Sequence, residues 1–187
     1  MGRPQKHEPL LSVDEFLAWY ERQPEGSRYE LLDGVIYQMQ SERAVHGLIK
    51  GNIYASFRQQ VRNLGLPCQV FVDGMAVRIE PATTFEPDVF IRCGKPVPDE
   101  LTAIADPMIV VEIASPSTKK IDETDKLTRY FDNPHILHYL VVLPLTKAVT
   151  HHHRDATGQI KSETYHSGAV ILDPLGIKLE LAETFER

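Results

Sequence analysis

Only two cysteines, Cys68 and Cys93, occur in 187 residues, and neither stands in a CxxC or CxxH spacing, so no zinc-finger or dithiol motif is present. Both lie among apolar neighbours and read as small core residues, the alternative being a disulfide or ligand pair. Long apolar runs are equally scarce: Met108–Val111 and Tyr139–Leu145 fall far short of the ~20 residues a membrane span requires. The leading stretch Met1-Gly-Arg-Pro-Gln-Lys-His-Glu holds no apolar signal core, and Lys6 stands where a myristoylation signal needs Ser or Thr. A soluble, cytoplasmic protein with no membrane partner is the expectation. Positive charge is in short supply too. Lys and Arg number 20 against 26 Asp and Glu, a formal net charge of -6, and that summed field repels phosphate. Any contact with nucleic acid must therefore come from a local basic patch. A Walker A loop, GxGxxG and GxSxG are all missing, which removes the nucleotide-binding and serine-hydrolase readings.

What is present is an ordinary globular composition, 42% hydrophobic and 25% charged, in a length that suits one domain with its own core. Residues 1–11 read as a loose lead-in and 12–187 as a single domain. Ser12-Val-Asp-Glu15 is a capping box opening a helix over 13–23. Tyr29–Leu32 and Val35–Met39 flank Asp33-Gly34, a hairpin signal. Apolar residues Val45, Leu48, Ile49, Ile53, Phe57, Val61 and Leu64 recur every three or four positions and predict a long amphipathic helix, stopped at Gly65. Asp73-Gly74, between Val70–Val72 and Met75–Ile79, predicts a second hairpin. A strand follows from Pro87-Asp88 to Arg92, then a surface loop over 94–107.

Met108-Ile-Val-Val-Glu-Ile-Ala114 is apolar on both faces, as a central strand covered by helices would be. A helix over about 121–132 and a strand over 136–143 complete a strand–helix–strand crossover. Ala148–Leu181 reads as three or four antiparallel strands. The fold class is α/β, a mixed sheet flanked by helices with antiparallel C-terminal strands.

Within this pattern Glu112 is a charge where none is wanted, since burying an ionised carboxylate costs several kcal/mol unless it is paired or bound to a cation. Asp88 stands at the mouth of a neighbouring strand, and Glu30 interrupts the apolar run Tyr29-Glu-Leu-Leu32. Three acids on strands offer hard oxygen ligands suited to Mg²⁺ or Mn²⁺. The plain alternatives are a solvent-facing edge residue for Glu30 and a turn cap for Asp88. Asp122, Lys126 and Tyr130 stand four apart on one helix face, which equally describes an exposed Asp122–Lys126 salt bridge. His151-His-His153 alternates between strand faces, so at most two of its rings bind one ion, and it reads as an exposed strand or loop feature. His135 and His138 lack an HExxH context.

The run Tyr29-Glu-Leu-Leu-Asp-Gly-Val-Ile-Tyr37, His46 in its helix, Glu86-Pro-Asp88-Val, and Val111-Glu-Ile-Ala-Ser-Pro-Ser-Thr118 followed by Asp122, Lys126 and Tyr130 together resemble the Uma2 family. That family is similar to restriction endonucleases of the PD-(D/E)XK superfamily. The resemblance covers about residues 12–182 and implies a restriction-endonuclease-like core with a divalent-metal nuclease site. It implies Asp88 and Glu112 as metal ligands, Glu30 as an additional acid and Lys126 as the lysine, with His46, Asp122 and Tyr130 as accessory residues. The superfamily's E-x-K would put a lysine at position 114, where this chain has Ala114, so Lys126 must be a migrated lysine.

The expectation is thus a Mg²⁺- or Mn²⁺-dependent endonuclease acting on DNA, met through the basic cluster Lys119, Lys120, Lys126 and Arg129, with a homo-oligomer possible. The competing reading is a nuclease fold kept as a binding or regulatory module without turnover, favoured by the missing in-strand lysine and the net negative charge.

Overall fold

The computed structural model describes residues 10–39, 41–115 and 125–187. A six-stranded sheet, order β11-β10-β9-β8-β6-β3, and a five-stranded sheet, order β2-β1-β5-β4-β7, make the body, with a two-stranded β12-β13 hairpin beside them. The large sheet is β3 (Cys68–Val72), β6 (Val89–Cys93), β8 (Pro107–Ile113), β9 (His138–Leu143), β10 (Ala148–Arg154) and β11 (Ile160–Tyr165); the second is β1 (Tyr29–Leu32), β2 (Val35–Gln38), β4 (Ala76–Glu80), β5 (Thr83–Phe85) and β7 (Ala103–Ile104). The helices are α1 (Val13–Tyr20), α2 (Ala44–Asn63), α3 (Asp125–Asp132) and α4 (Leu181–Thr184), and the closing hairpin is β12 (Ala169–Leu172) with β13 (Ile177–Glu180). This is a mixed α/β fold with antiparallel C-terminal strands.

Local chemistry explains most of these elements. Both hydrogen bonds of the Ser12/Glu15 capping box form at the start of α1. Asp33 and Gly34, at φ 50° and 78°, turn β1 antiparallel into β2, the left-handed pair that matches strand twist. Along α2, Ile49, Ile53, Phe57 and Val61 are buried at fourfold spacing and pack on the face of the large sheet that carries Ile109, Val111, Ile113, Leu140 and Val142, where β12–β13 also docks. Leu48 and Leu64 sit on the exposed side, while Lys50 is buried, so the helix is rotated from the face the apolar spacing suggests. The opposite face of the sheet, with Val110, Ala114, Tyr139 and Val141, meets Tyr130 of α3 and Val77 and Phe85 of the second sheet.

β8 and β9 run parallel, joined through α3, and β8 is buried almost throughout. The 94–107 segment is not purely loop, since Ala103–Ile104 adds a short strand parallel to β4.

Two expectations fail. Asp73-Gly74 makes a turn with the same positive φ values, 48° and 66°, but β3 and β4 do not pair. β3 pairs with β6 and β4 with β5 and β7. The turn is local, whereas pairing depends on which partners lie beyond it, and here the chain leaves one sheet for the other. It returns at 86–88, between β5 and β6. The two cysteines are not independent core residues either: Cys68 and Cys93 face each other across β3 and β6 and form a disulfide. A separation of 25 residues hid that register from spacing arguments.

Candidate active site

The double crossing places β1, the 73–75 turn, the 86–88 segment and the C-terminal end of β8 around one spot. The register Val89↔Val111, carried one step further, sets Asp88 opposite Glu112. Glu30, Asp88, Glu112 and Lys126 are all buried. Lys126 reaches from α3 into the sheet junction, its Nζ 2.9 Å from Glu30 Oε1 and 2.9 Å from Glu112 Oε1. Tyr130, one turn further along α3, donates its hydroxyl to the same Glu112 oxygen at 2.6 Å. Burial first, then the Glu112 charge, pushes the Tyr130 hydroxyl well above its ordinary pKa, so it remains a donor.

Asp88 is held from three sides: His46 Nε2 at 2.9 Å and the Ile113 amide at 2.7 Å on Oδ2, and Lys50 Nζ at 3.0 Å on Oδ1. Burial alone would raise its pKa, but His46, Lys50 and the amide overcome that and set it at about 2. An ionised carboxylate only accepts, so His46 Nε2 carries the proton in this contact. Lys50 also touches Glu42 Oε1 and Asp73 Oδ1, each at 2.6 Å. Burial acts to lower the Lys50 pKa, yet its three acidic neighbours raise it, so the ammonium stays charged. Arg28 completes the group against Glu42, Asp73 and Glu86. Glu86 is pushed upward by burial, and its amide donates to Glu30 at 3.1 Å.

Glu30, Asp88, Glu112, Lys126, His46 and Tyr130 therefore share one cluster, and Asp122 lies outside the described residues, as do Lys119 and Lys120. Lys126 is no exposed partner of a neighbouring helix turn; it is 5% exposed, because its helix face looks at the sheet junction. Of the basic cluster, the two described members do not offer free charge to a surface: Lys126 points inward and Arg129 is paired with Asp33, Glu80 and Asp132. Lys50 and Glu42 escaped the sequence reading, although Lys50 stands four residues from His46 on α2 and so shares its helix face; Glu42 precedes the helix, which opens at Ala44. Glu42, His46 and Asp88 each offer a ligand atom, all within 4.8 Å of one another.

The sequence matches the model of the Uma2 family, described as "Putative restriction endonuclease", over residues 13–184. The chain belongs to the Uma2 family. An uncharacterized protein of Synechocystis is 30% identical over 151 residues, spanning 80% of this chain and 77% of that protein. The crystal structure of a "putative nuclease" from Anabaena variabilis superposes with a TM-score of 0.75, covering 94% of this chain and 97% of that one at 15% identity. At that identity the likeness establishes the shared fold. Uma2 membership accounts for the restriction-endonuclease-like architecture seen here.

Proposed function

We propose that this Uma2 protein is a divalent-metal-dependent endonuclease that hydrolyses phosphodiester bonds in DNA. The observation that carries the reading is Lys126, which leaves α3 to contact both Glu112 and Glu30 at 2.9 Å, where a lysine migrated from position 114 is needed.

The cluster's oxygen donors fit a cation. Glu30, Glu42, Asp73, Glu86, Asp88 and Glu112 face three permanent cations among the described residues, Arg28, Lys50 and Lys126. Oxygen-rich donor sets of this kind suit Mg²⁺ or Mn²⁺. Asp88 and Glu112 would hold the ion, with Glu42 and His46 next to Asp88. When bound, a divalent ion supplies positive charge to a scissile phosphate and makes water a competent nucleophile near neutral pH. The protein's own part is positional. The Ile113 amide and His46 fix the Asp88 carboxylate, and Tyr130 fixes that of Glu112. Lys126 brings an ammonium to the same edge, where it can stabilise negative charge developing on phosphate.

The test is cleavage of supercoiled plasmid, linear DNA and RNA by tag-free protein with Mg²⁺, Mn²⁺ or EDTA. Metal-dependent cleavage of DNA is expected, lost in the near-isosteric Asp88→Asn and Glu112→Gln variants. A folded wild-type protein that cuts no substrate in either metal would replace this reading with the binding-module one.

A further inference from the structure

The triplet His151-His-His153 is not the exposed feature its sequence suggested. His151 is 4% exposed and His152 5%, because β10 lies inside the large sheet between β9 and β11. Alternation sends His152 to one face, where its ring lies near Tyr139 and its Nδ1 meets Ser162 Oγ. His151 and His153 go to the other face. There the register His153↔His138 brings in a third ring from β9. Two strands thus supply three imidazoles on one face.

The pairing of nitrogens is informative. His138 Nε2 meets the Asp173 carbonyl at the β12–β13 turn. A carbonyl only accepts, so Nε2 carries the proton and Nδ1 turns a lone pair toward the cluster. That lone pair faces His151 Nε2 at 2.9 Å. With ring centroids 5.1 Å apart and planes inclined by 25°, the two rings meet edge to edge, nitrogen toward nitrogen. The His153 ring lies 4.8 Å from His151 and 6.4 Å from His138, and its Nδ1 is buried with no hydrogen-bond partner.

We propose that His138, His151 and His153 form a binding site for one Zn²⁺-class ion, separate from the acidic cluster. All three donors are nitrogens and no carboxylate belongs to the set, which selects a borderline metal over Mg²⁺. A carbonyl bonded to the far ring nitrogen is the usual outer support of a histidine ligand. Tetrahedral Zn–N bonds of about 2.0–2.1 Å hold two nitrogens roughly 3.3 Å apart, so the His138–His151 contact opens by only about 0.4 Å. His151 then passes its proton from Nε2 to Nδ1, and His153, whose ring centroid stands 6.4 Å from that of His138, must swing its Nδ1 inward to complete the set. The site lies on the sheet face opposite Glu112 and at the other end of β8–β9, since Ile109 pairs with His138 and Glu112 with Val141. A bound ion would clasp β9 and β10 beneath the β12–β13 turn.

The test uses tag-free full-length protein in excess Mg²⁺, titrated with Zn²⁺ by calorimetry and with Co²⁺ by visible absorption. The proposal expects one Zn²⁺ per chain that persists in the Asp88→Asn variant and weakens at least about 10-fold in His153→Phe and His138→Gln. Zinc-edge absorption spectroscopy on the wild type, which needs no variant to fold, should show about three imidazole nitrogens. Zn²⁺ binding that disappears in Asp88→Asn, a mainly oxygen shell, or no uptake at all would each overturn it.

Discussion

Lys126 and Lys50 are long cationic side chains taken out of water, and each is stable there only because acids surround it. Removing one cation leaves carboxylates buried without compensation, a loss of about 3–5 kcal/mol for a broken buried pair. Lys126→Met should therefore lower the urea midpoint by a corresponding amount, while Arg58→Met on the exposed side of α2 should hardly move it. Activity loss in Lys126→Met would be ambiguous for that reason, so Lys126→Arg, which keeps the charge, is the better kinetic probe. The imidazoles predict a pH effect. The His151 pKa is pushed by burial to about 3, below an unfolded value of about 6.5. The unfolded chain then binds more protons, so this contribution is complete above pH 6.5 and declines as pH falls. In EDTA, up to about 1 kcal/mol should be lost between pH 6.5 and 5.5 from His151 alone, and His151→Phe should flatten that slope in urea titrations. At this scale the sequence was partly transparent. Glu112 betrayed itself as a charge within an apolar strand. Lys50 did not, because a lysine in a helix ordinarily marks the solvent side, and only the tertiary placement of Asp73 and Asp88 makes burial tolerable.

The Asp-Gly turns show where element-scale reasoning holds and where it stops. Both dipeptides adopt positive φ as their chemistry requires, yet only the first joins paired strands. Turn type is written in two residues, whereas strand pairing depends on residues dozens of positions away, as with Leu31↔Thr84 between β1 and β5. The same limit concealed the Cys68–Cys93 bridge. Substitutions should separate the two turns. At Gly74 an added Cβ meets nothing within 4 Å, so Gly74→Ala should cost only the left-handed strain of about 1–2 kcal/mol. At Gly34 it would lie 2.8 Å from Leu10 Cβ and 3.1 Å from the Leu11 amide. Gly34→Ala should be the more damaging of the two by thermal denaturation, and an equal loss at both sites would show that the Leu10–Leu11 segment yields freely.

For the molecule as a whole, the proposed ion site at the sheet junction predicts a stability that responds to divalent ions. An ion that binds only the folded state at one hundred times its dissociation constant adds about 2.7 kcal/mol. Mg²⁺ should raise the unfolding temperature of the wild type, EDTA should reverse the rise, and Asp88→Asn should abolish it. No shift in the wild type at millimolar Mg²⁺ would argue against an ion at this junction. The α/β architecture was legible because periodicity and turn signals survive into the structure. The division into two sheets was not, since nothing local distinguishes a strand that pairs back from one that departs.

That division has a bearing on biosynthesis. Lys126 and Glu30 are 96 residues apart, and the chain must commit to both sheets, leaving one at 73–75 and rejoining it at 86–88, before those side chains can meet. Contacts of such long range are the slow part of folding. A nascent or partly unfolded chain holds its acids scattered in water, each with ordinary affinity for ions and none for a shared phosphate. Any hydrolytic competence would thus arrive last, with the finished tertiary structure.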